Sequence, residues 1–375
     1  MRCFMFGFIF MKYTPLAATL LFIAPIFIKA EVTAPAPSDV LVTMEKVADY
    51  QIAHPGKQKF TEWVQGAYLT GLSSLDSIST SKRFHEELLR IAESNNWQLG
   101  ERVYHADDSC VGQTYYDLYM KEHDPKMIKA LQERCDYILA NPKSGSLEFV
   151  GKSKTEQWTW CDSLFMAPPA WLRLYVATGN KAYRDYAVMQ WWRTSAYLYD
   201  TKEHLYFRDS TYFPKREANG QKIFWSRGNG WVIAGLARVL TLLPANDPAR
   251  PEFEQQFKEM AARLKDLQPA NGAWSSSLLD PSSCSPSVET SGTGFYCFAF
   301  AWGVNNHLLD HDTYAPAALK AWAMLNTCVE ASGRLNHVQP VGAAPQKFSP
   351  ESTEAYGPGA FLLAGHEIIT LVSGK

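Results

Sequence analysis

The sequence lacks the arrangements by which proteins usually hold metals and nucleotides. None of its seven cysteines forms a Cys-x-x-Cys pair or a Cys/His cluster with zinc-like spacing, so neither a metal nor a cofactor is expected. It has no excess of positive charge. Its 36 lysines and arginines stand against 38 aspartates and glutamates, a formal net charge of −2, and that balance excludes the basic surface a nucleic-acid partner requires. Alternating apolar and polar stretches, the mark of half-buried strands, are few. Aromatic residues, in contrast, are plentiful: 20 Phe, 18 Tyr and 12 Trp among 375 residues. With 46% hydrophobic and 20% charged residues, the chain has the composition of an ordinary globular protein.

Residues 1–30 stand apart. Arg2 and Lys12 precede an apolar run from about Leu16 to Ile28, which Lys29 and Ala30 close. This reads as a secretory leader removed near residue 30, with Met11 as an alternative start. The run falls short of the roughly 20 residues of a membrane span, so no stable membrane insertion is expected once the leader is gone. The expected mature protein is exported, to a bacterial periplasm, with residues 31–40 as a short linker and 41–375 as one domain. Loss of Arg2, Lys12 and Lys29 takes the charge to −5. Six cysteines then remain, Cys110, Cys135, Cys161, Cys284, Cys297 and Cys328, and are read as buried thiols. Disulfides would be permitted in that compartment, but a chain this long does not need them.

From residue 44 onward the apolar residues recur with helical spacing. Four stretches repeat one plan of amphipathic segment, turn, amphipathic segment: residues 115–139, 171–192, 237–264 and 300–325. Their turns carry Asp124-Pro125, Gly179-Asn180, Asp247-Pro248 and Asp310 to Asp312, residues that stop one helix and cap the next. An earlier pair fits residues 59–95. A second feature recurs at the other ends of these helices, where six apolar segments open with small residues: WVQGAYLTGL, DDSCVGQTYYDLY, DSLFMAPPAWLRLY, RGNGWVIAGLARVL, SGTGFYCFAFAW and YGPGAFLLAGHEI. Six inner helices alternating with more polar outer ones predict an all-α chain closed as an (α/α)6 barrel. The inner helices run the same way, so their N-termini share one rim, where free N–H groups favour an anionic ligand.

Polar residues gather at that rim. His105, Asp107, Asp108 and Gln113 lie in HADDSCVGQ. Asp162 follows Trp158 and Trp160 in a strongly apolar setting; burial raises a carboxyl pKa, which suits a general acid at neutral pH. The next group is HLYFRDSTYF with Arg208, then IFWSRGNGW with Trp225, Arg227 and Trp231. Arginine pairs with carboxylates in a two-point fashion, and a Trp face can stack on a sugar ring. A fourth stretch, residues 272–295, has Trp274 and Glu289 beside a long loop that could cover the site. Asp107 and Asp108 each have an alternative reading as a helix cap.

Taken in order, ADDSCVGQTYYDLY, WCDSLFMAPP, FWSRGNGWVIAGLARVL, ETSGTGFYCFAFAWG and YGPGAFLLAGHEI resemble glycoside hydrolase family 105, the unsaturated rhamnogalacturonyl hydrolases, relatives of the family 88 unsaturated glucuronyl hydrolases. The resemblance spans about residues 40–375 and implies the same (α/α)6 fold. It also implies the substrate, a lyase-generated oligosaccharide with a 4,5-unsaturated uronic acid at its non-reducing end. Asp162 matches the family's acid/base. The second family carboxylate falls on Asp107 or Asp108, with Asp107 favoured by its distance from Gly112, and like-charge repulsion from it is expected to keep Asp162 protonated. Arg227, Trp231 and Trp225 match pocket residues, and Trp160, His105 and Gln113 complete the expected substrate-binding set. Arg208 stands where members often carry histidine, a departure that leaves the aglycone sugar open. Two other readings remain. One is a conventional glycosidase or sugar epimerase on the same toroid, for which His105 and His204 are the nearest candidates. The other is a sugar-binding protein without chemistry.

Overall fold

The computed structural model describes residues 1, 3–5, 7, 9, 34–151 and 156–374. The leader expected at residues 1–30 falls mostly outside them. The chain divides into two compact units, Met1–Glu31 and Val32–Lys375, and all that follows concerns the second.

Helices alternate between two roles. The outer set is α1 (Pro37–Ala53), α3 (Arg83–Ser94), α5 (Lys126–Ala140), α8 (Lys181–Leu198), α10 (Arg250–Asp266) and α12 (His311–Thr327). The inner set is α2 (Trp63–Asp76), α4 (Gly112–Glu122), α7 (Pro168–Thr178), α9 (Ser226–Leu242), α11 (Thr290–Asn305) and α13 (Tyr356–Ser373). A single turn, α6 (Ser163–Met166), precedes α7. Composition explains the division. In α3 only Phe84, Leu88, Ile91 and Ala92 are buried, one stripe of an amphipathic helix. In α11 every residue from Thr290 to Val304 is buried, as a helix packed on all sides must be.

The turns behave as their residues dictate. Gly179 adopts φ of 72° and ends α7; Asn180 then accepts the Ala182 N–H at 3.1 Å and caps α8. Asp310 accepts the Thr313 N–H at 2.8 Å at the start of α12. The inner helices then close a ring, α2 against α4, α4 against α7, and so through α9, α11 and α13 back to α2. Each inner helix also packs on an outer one, with α1 serving α13. This is the (α/α)6 barrel. Closure requires very near approach of α2 and α13, where a Cβ on Gly71 would lie 2.3 Å from the Gly359 carbonyl oxygen. Only glycine fits there.

Two-residue strands β1 (Tyr199–Asp200) and β2 (Leu205–Tyr206) form an antiparallel hairpin between α8 and α9. Among the described residues no helix is long and apolar enough to cross a membrane.

Candidate active site

The long connections lead from each outer helix to the next inner one, and five of the six inner helices receive one that reaches a common cavity of about 580 Å3. Lys59, Thr61, Glu62 and Trp63 line it at the entry to α2; Gly100, Glu101, Arg102, His105, Asp107 and Asp108 at the entry to α4. Phe149, Trp160, Asp162 and Met166 come before α7, Arg208 before α9, and Val341, Gly342 and Ala343 before α13. The cavity therefore sits on the rim formed by inner-helix N-termini, and its volume suits a ligand of disaccharide size.

Asp162 immediately precedes α6, yet its side chain caps nothing. A capping role, the ordinary use of aspartate at that position, is therefore absent. Its Oδ2 instead faces Arg208, whose Nε lies 3.8 Å away, and accepts from the Cys161 thiol at 3.4 Å. The Cys161 N–H donates to the Arg208 carbonyl at 2.9 Å, so backbone contact fixes the acid beside its arginine. Asp209 accepts from Arg208 Nη1 at 2.6 Å and sets the guanidinium, while Phe149 lies under it at 4.9 Å. Burial raises the Asp162 carboxyl above the usual carboxylate range, against the opposing pull of Arg208.

Asp107 and Asp108, adjacent on a 3-10 turn (Ala106–Ser109), have separate fates. Asp108 is bound on the protein side by the Arg102 backbone N–H at 2.7 Å and by the Arg102 guanidinium at 2.5–3.2 Å. Asp107 keeps a buried Oδ1 with no partner among the described residues. Burial, and then the nearby charge of Asp162, push its carboxyl up to about 7. Asp107 is thus the carboxyl electrostatically joined to Asp162. The expected repulsion is found, but on the other member: it raises Asp107, whereas burial is what raises Asp162. His105 packs on Trp160 with ring centroids 4.7 Å apart, and its Nδ1 is 3.7 Å from Asp107. Burial and the two arginines Arg102 and Arg208 lower His105 to about 4, so it is neutral at physiological pH and available as a hydrogen-bonding group.

Four of the residues expected in the site lie behind its wall. Gln113 is fully buried. Its amide donates to the carbonyls of Phe165 at 2.9 Å and Met166 at 3.3 Å and accepts from Arg238 at 2.9 Å. Pro168 and Pro169 have no N–H to offer the preceding turn, and Gln113 serves the carbonyls stranded there. Arg227 is also fully buried, sandwiched between Trp225 and Tyr356 at 4.5 and 4.6 Å. It donates to the carbonyls of Gln339 at 2.6 Å and Pro340 at 2.9 Å, directly before the lining residues Val341 to Ala343. The indole N–H of Trp225 donates to Gln339 at 2.7 Å. Trp231 is enclosed by Phe295, Phe165 and Trp63, the last of which lines the cavity. These four side chains shape the site from one layer back.

The fourth rim stretch, residues 272–295, supplies none of the residues lining this cavity. Glu289 caps α11 through the N–H groups of Ser291 and Gly292, and Trp274 is buried with its N–H on the Leu264 carbonyl at 3.0 Å. Sequence reading missed Lys59, Glu62, Trp63, Glu101, Arg102 and Phe149. Only Trp63 carried a signal, since it opens an inner helix.

A comparison with known proteins decides the family. The family model of Glycosyl Hydrolase Family 88 matches residues 41–372. The chain belongs to glycosyl hydrolase family 88. It is 39% identical over 352 residues to the unsaturated 3S-rhamnoglycuronyl hydrolase of Formosa agariphila, a match covering 89% of this chain and 91% of that protein. The enzyme of the same description from Alteromonas sp. is 33% identical, over 87% of this chain and 84% of that one. A solved family 88 structure from Bacteroides vulgatus superposes with a TM-score of 0.81 at 31% identity, covering 90% of this chain and all of that one. This family 88 member is accordingly a glycoside hydrolase.

Proposed function

We propose that the protein removes a 4,5-unsaturated uronic acid from the non-reducing end of lyase-generated oligosaccharides by hydrating the C4=C5 vinyl ether. The observation that carries this reading is the Asp107–Asp162 pair, two pKa-raised carboxyls in one disaccharide-sized cavity with a guanidinium beside the second. Asp107 is raised to about 7 by burial and by the charge of Asp162, and burial raises Asp162 as well, so both carboxyls resist ionisation.

Asp162 in its neutral form gives a proton to C4, and positive charge develops at C5 and the ring oxygen. Water adds at C5 and returns its proton to the Asp162 carboxylate. The hemiketal formed at C5 opens and the aglycone sugar leaves. One water is consumed, the acid is regenerated and no redox change occurs. No group attacks C1, so the spacing rule for paired carboxylates in ordinary glycosidases does not apply. Arg208 binds the uronate carboxylate. Pairing with that carboxylate offsets the guanidinium charge which otherwise favours ionised Asp162, and so the substrate itself promotes protonation of the acid. Asp107, whose carboxyl is raised to about 7, orders the attacking water or the substrate hydroxyls.

The names of the two curated relatives bring the substrate into focus. Rhamnoglycuronyl describes a glycuronic acid joined to rhamnose, and 3S denotes a 3-sulfate. We propose the same aglycone class here. Proton NMR of digests tests the reaction. The expected products are a free aglycone and an open-chain 5-keto uronic acid without the vinyl proton, isomeric with the unsaturated sugar that ordinary cleavage at C1 would release. Cleavage of saturated glycosides would overturn this reading and favour a conventional glycosidase.

We also propose export, with a leader at residues 1–30. The support is compositional: Arg2, Lys12 and the apolar run from Leu16 to Ile28. N-terminal sequencing of protein from a periplasmic fraction is expected to begin close to Glu31. Retention of Met1 or Met11 would contradict it.

A further inference from the structure

Asp108 neighbours the reacting pair, yet its carboxylate is wholly occupied with Arg102. The loop is built around that contact. The Gly100 N–H donates to the Asp108 carbonyl at 3.1 Å, and a Cβ on Gly100 would fall 2.5 Å from the Asp108 carboxyl carbon. Arg134 donates to the carbonyls of both Gly100 and Asp108, at 2.5 and 3.3 Å. The effect is to fix one guanidinium at the cavity wall.

How Arg102 is held determines what it can still do. A guanidinium has two edges able to make paired hydrogen bonds, one through Nε and Nη2 and one through Nη1 and Nη2. Asp108 takes the first edge, since its oxygens accept from Nε and Nη2. Nη1 makes no bond among the described residues, and the Arg102 side chain is 55% exposed while Asp108 is 6% exposed. A rigid, half-open guanidinium thus lines the cavity with one complete donor edge free. Lys59, the other cation at this mouth, is tied to Glu101, with side chains 70% and 85% exposed, so it is far less organised.

We propose that Arg102, held by Asp108, reads a sulfate ester on the sugar next to the unsaturated uronic acid. This rests on the reaction proposed above. Such a substrate carries two anions. Arg208, beside Asp162, answers the uronate carboxylate. Arg102, whose charge acts on Asp107 and His105, answers the second. Two oxygens of a sulfate match the free edge, and the bound Asp108 spares Arg102 the entropy of finding its geometry.

Removing Arg102 alone would strand the buried Asp108 carboxylate beside Asp107. The test therefore uses the double variant Arg102→Met/Asp108→Asn together with Arg102→Lys, each checked for folding by circular dichroism. Unsaturated glucuronyl-rhamnose with and without a rhamnose 3-sulfate is compared by kcat/KM. The wild type is expected to favour the sulfated disaccharide. The double variant is expected to lose that preference by about ten- to a hundredfold in the ratio, the size of a paired bond to a charged group. Lysine is expected to retain part of it. A second arm needs no turnover: calorimetry with rhamnose 3-sulfate and with rhamnose is expected to show sulfate-dependent binding in wild type that the double variant lacks. An unchanged ratio, no preference in wild type, or sulfate binding that survives the double substitution overturns the proposal. Hydration of neither disaccharide, with Arg102-dependent binding of rhamnose 3-sulfate intact, would overturn the proposed reaction and leave this subsite standing.

Discussion

Asp107 is an ionisable group placed where its charge is unwelcome. Its carboxyl is raised to about 7 by burial and by Asp162, against an ordinary value near 3.9. Between those limits the folded protein keeps a proton that the unfolded chain has lost, so stability falls as pH rises through that window. Asp107→Asn removes the penalty. Thermal melts are expected to show the variant gaining on wild type at pH 8 and much less at pH 5; equal shifts at both would show that Asp107 is not the group responsible. Asp162, the acid of the proposed mechanism, is also raised by burial, so kcat/KM is expected to decline on the alkaline side as its carboxyl ionises. At this scale the sequence was informative about Asp162, Arg208 and the 107–108 pair. It could not separate Asp107 from Asp108, because the difference lies in Arg102, six residues away by sequence and folded back by the Gly100 turn.

At the scale of elements, the residues that sequence reading placed in the pocket and the fold placed behind it have work of their own. Gln113 satisfies the carbonyls of Phe165 and Met166 where the Pro168-Pro169 pair breaks the helix carrying Asp162. Gln113→Leu leaves those buried acceptors and Arg238 without partners and is expected to cost about 2–4 kcal/mol in urea unfolding, on the usual penalty for each buried group left unpaired. A loss below 0.5 kcal/mol would remove Gln113 from this role. Arg227 grips the Gln339 and Pro340 carbonyls, setting the segment that supplies Val341 to Ala343. Arg227→Met is expected to raise KM and to quicken proteolysis between residues 336 and 350. Normal protease resistance with a raised KM would instead indicate direct contact with substrate. The motif RGNGW was visible in the sequence, but spacing along one helix does not say whether a side chain faces a cavity or the α13 wall. That depends on Trp225, two residues earlier at the cap of α9, and Tyr356 of α13 closing over Arg227 from its two sides.

The whole molecule follows from two recurring choices, turn residues (Asp124, Asn180, Asp247 and Asp310) that accept backbone N–H groups at the starts of four outer helices, and small residues where inner helices meet. Both are local patterns, which is why the six-unit ring was legible: each of the six segments that open with small residues contains an inner helix, and the predicted turns fall between inner and outer partners. The lining from residues 59–62, 101–102 and 149 was not legible, since those residues belong to loops without periodicity and reach the cavity only once the ring closes. Closure puts the entries to α2, α4, α7, α9 and α13 around one cavity, and the proposed chemistry depends on the Asp162 that this convergence buries. Ultraviolet absorbance tests it most directly, because the conjugated double bond of an unsaturated uronic acid absorbs and its hydration abolishes the signal. Wild type and Asp162→Asn would be followed on unsaturated glucuronyl-rhamnose 3-sulfate, with circular dichroism confirming that the variant folds. The account predicts steady loss of absorbance with wild type and a rate at least about a thousandfold lower with the variant, at the upper end of what a single acid/base or transition-state group contributes. Absorbance that persists with wild type while the glycosidic bond is cut, or that vanishes equally fast with the variant, would contradict it.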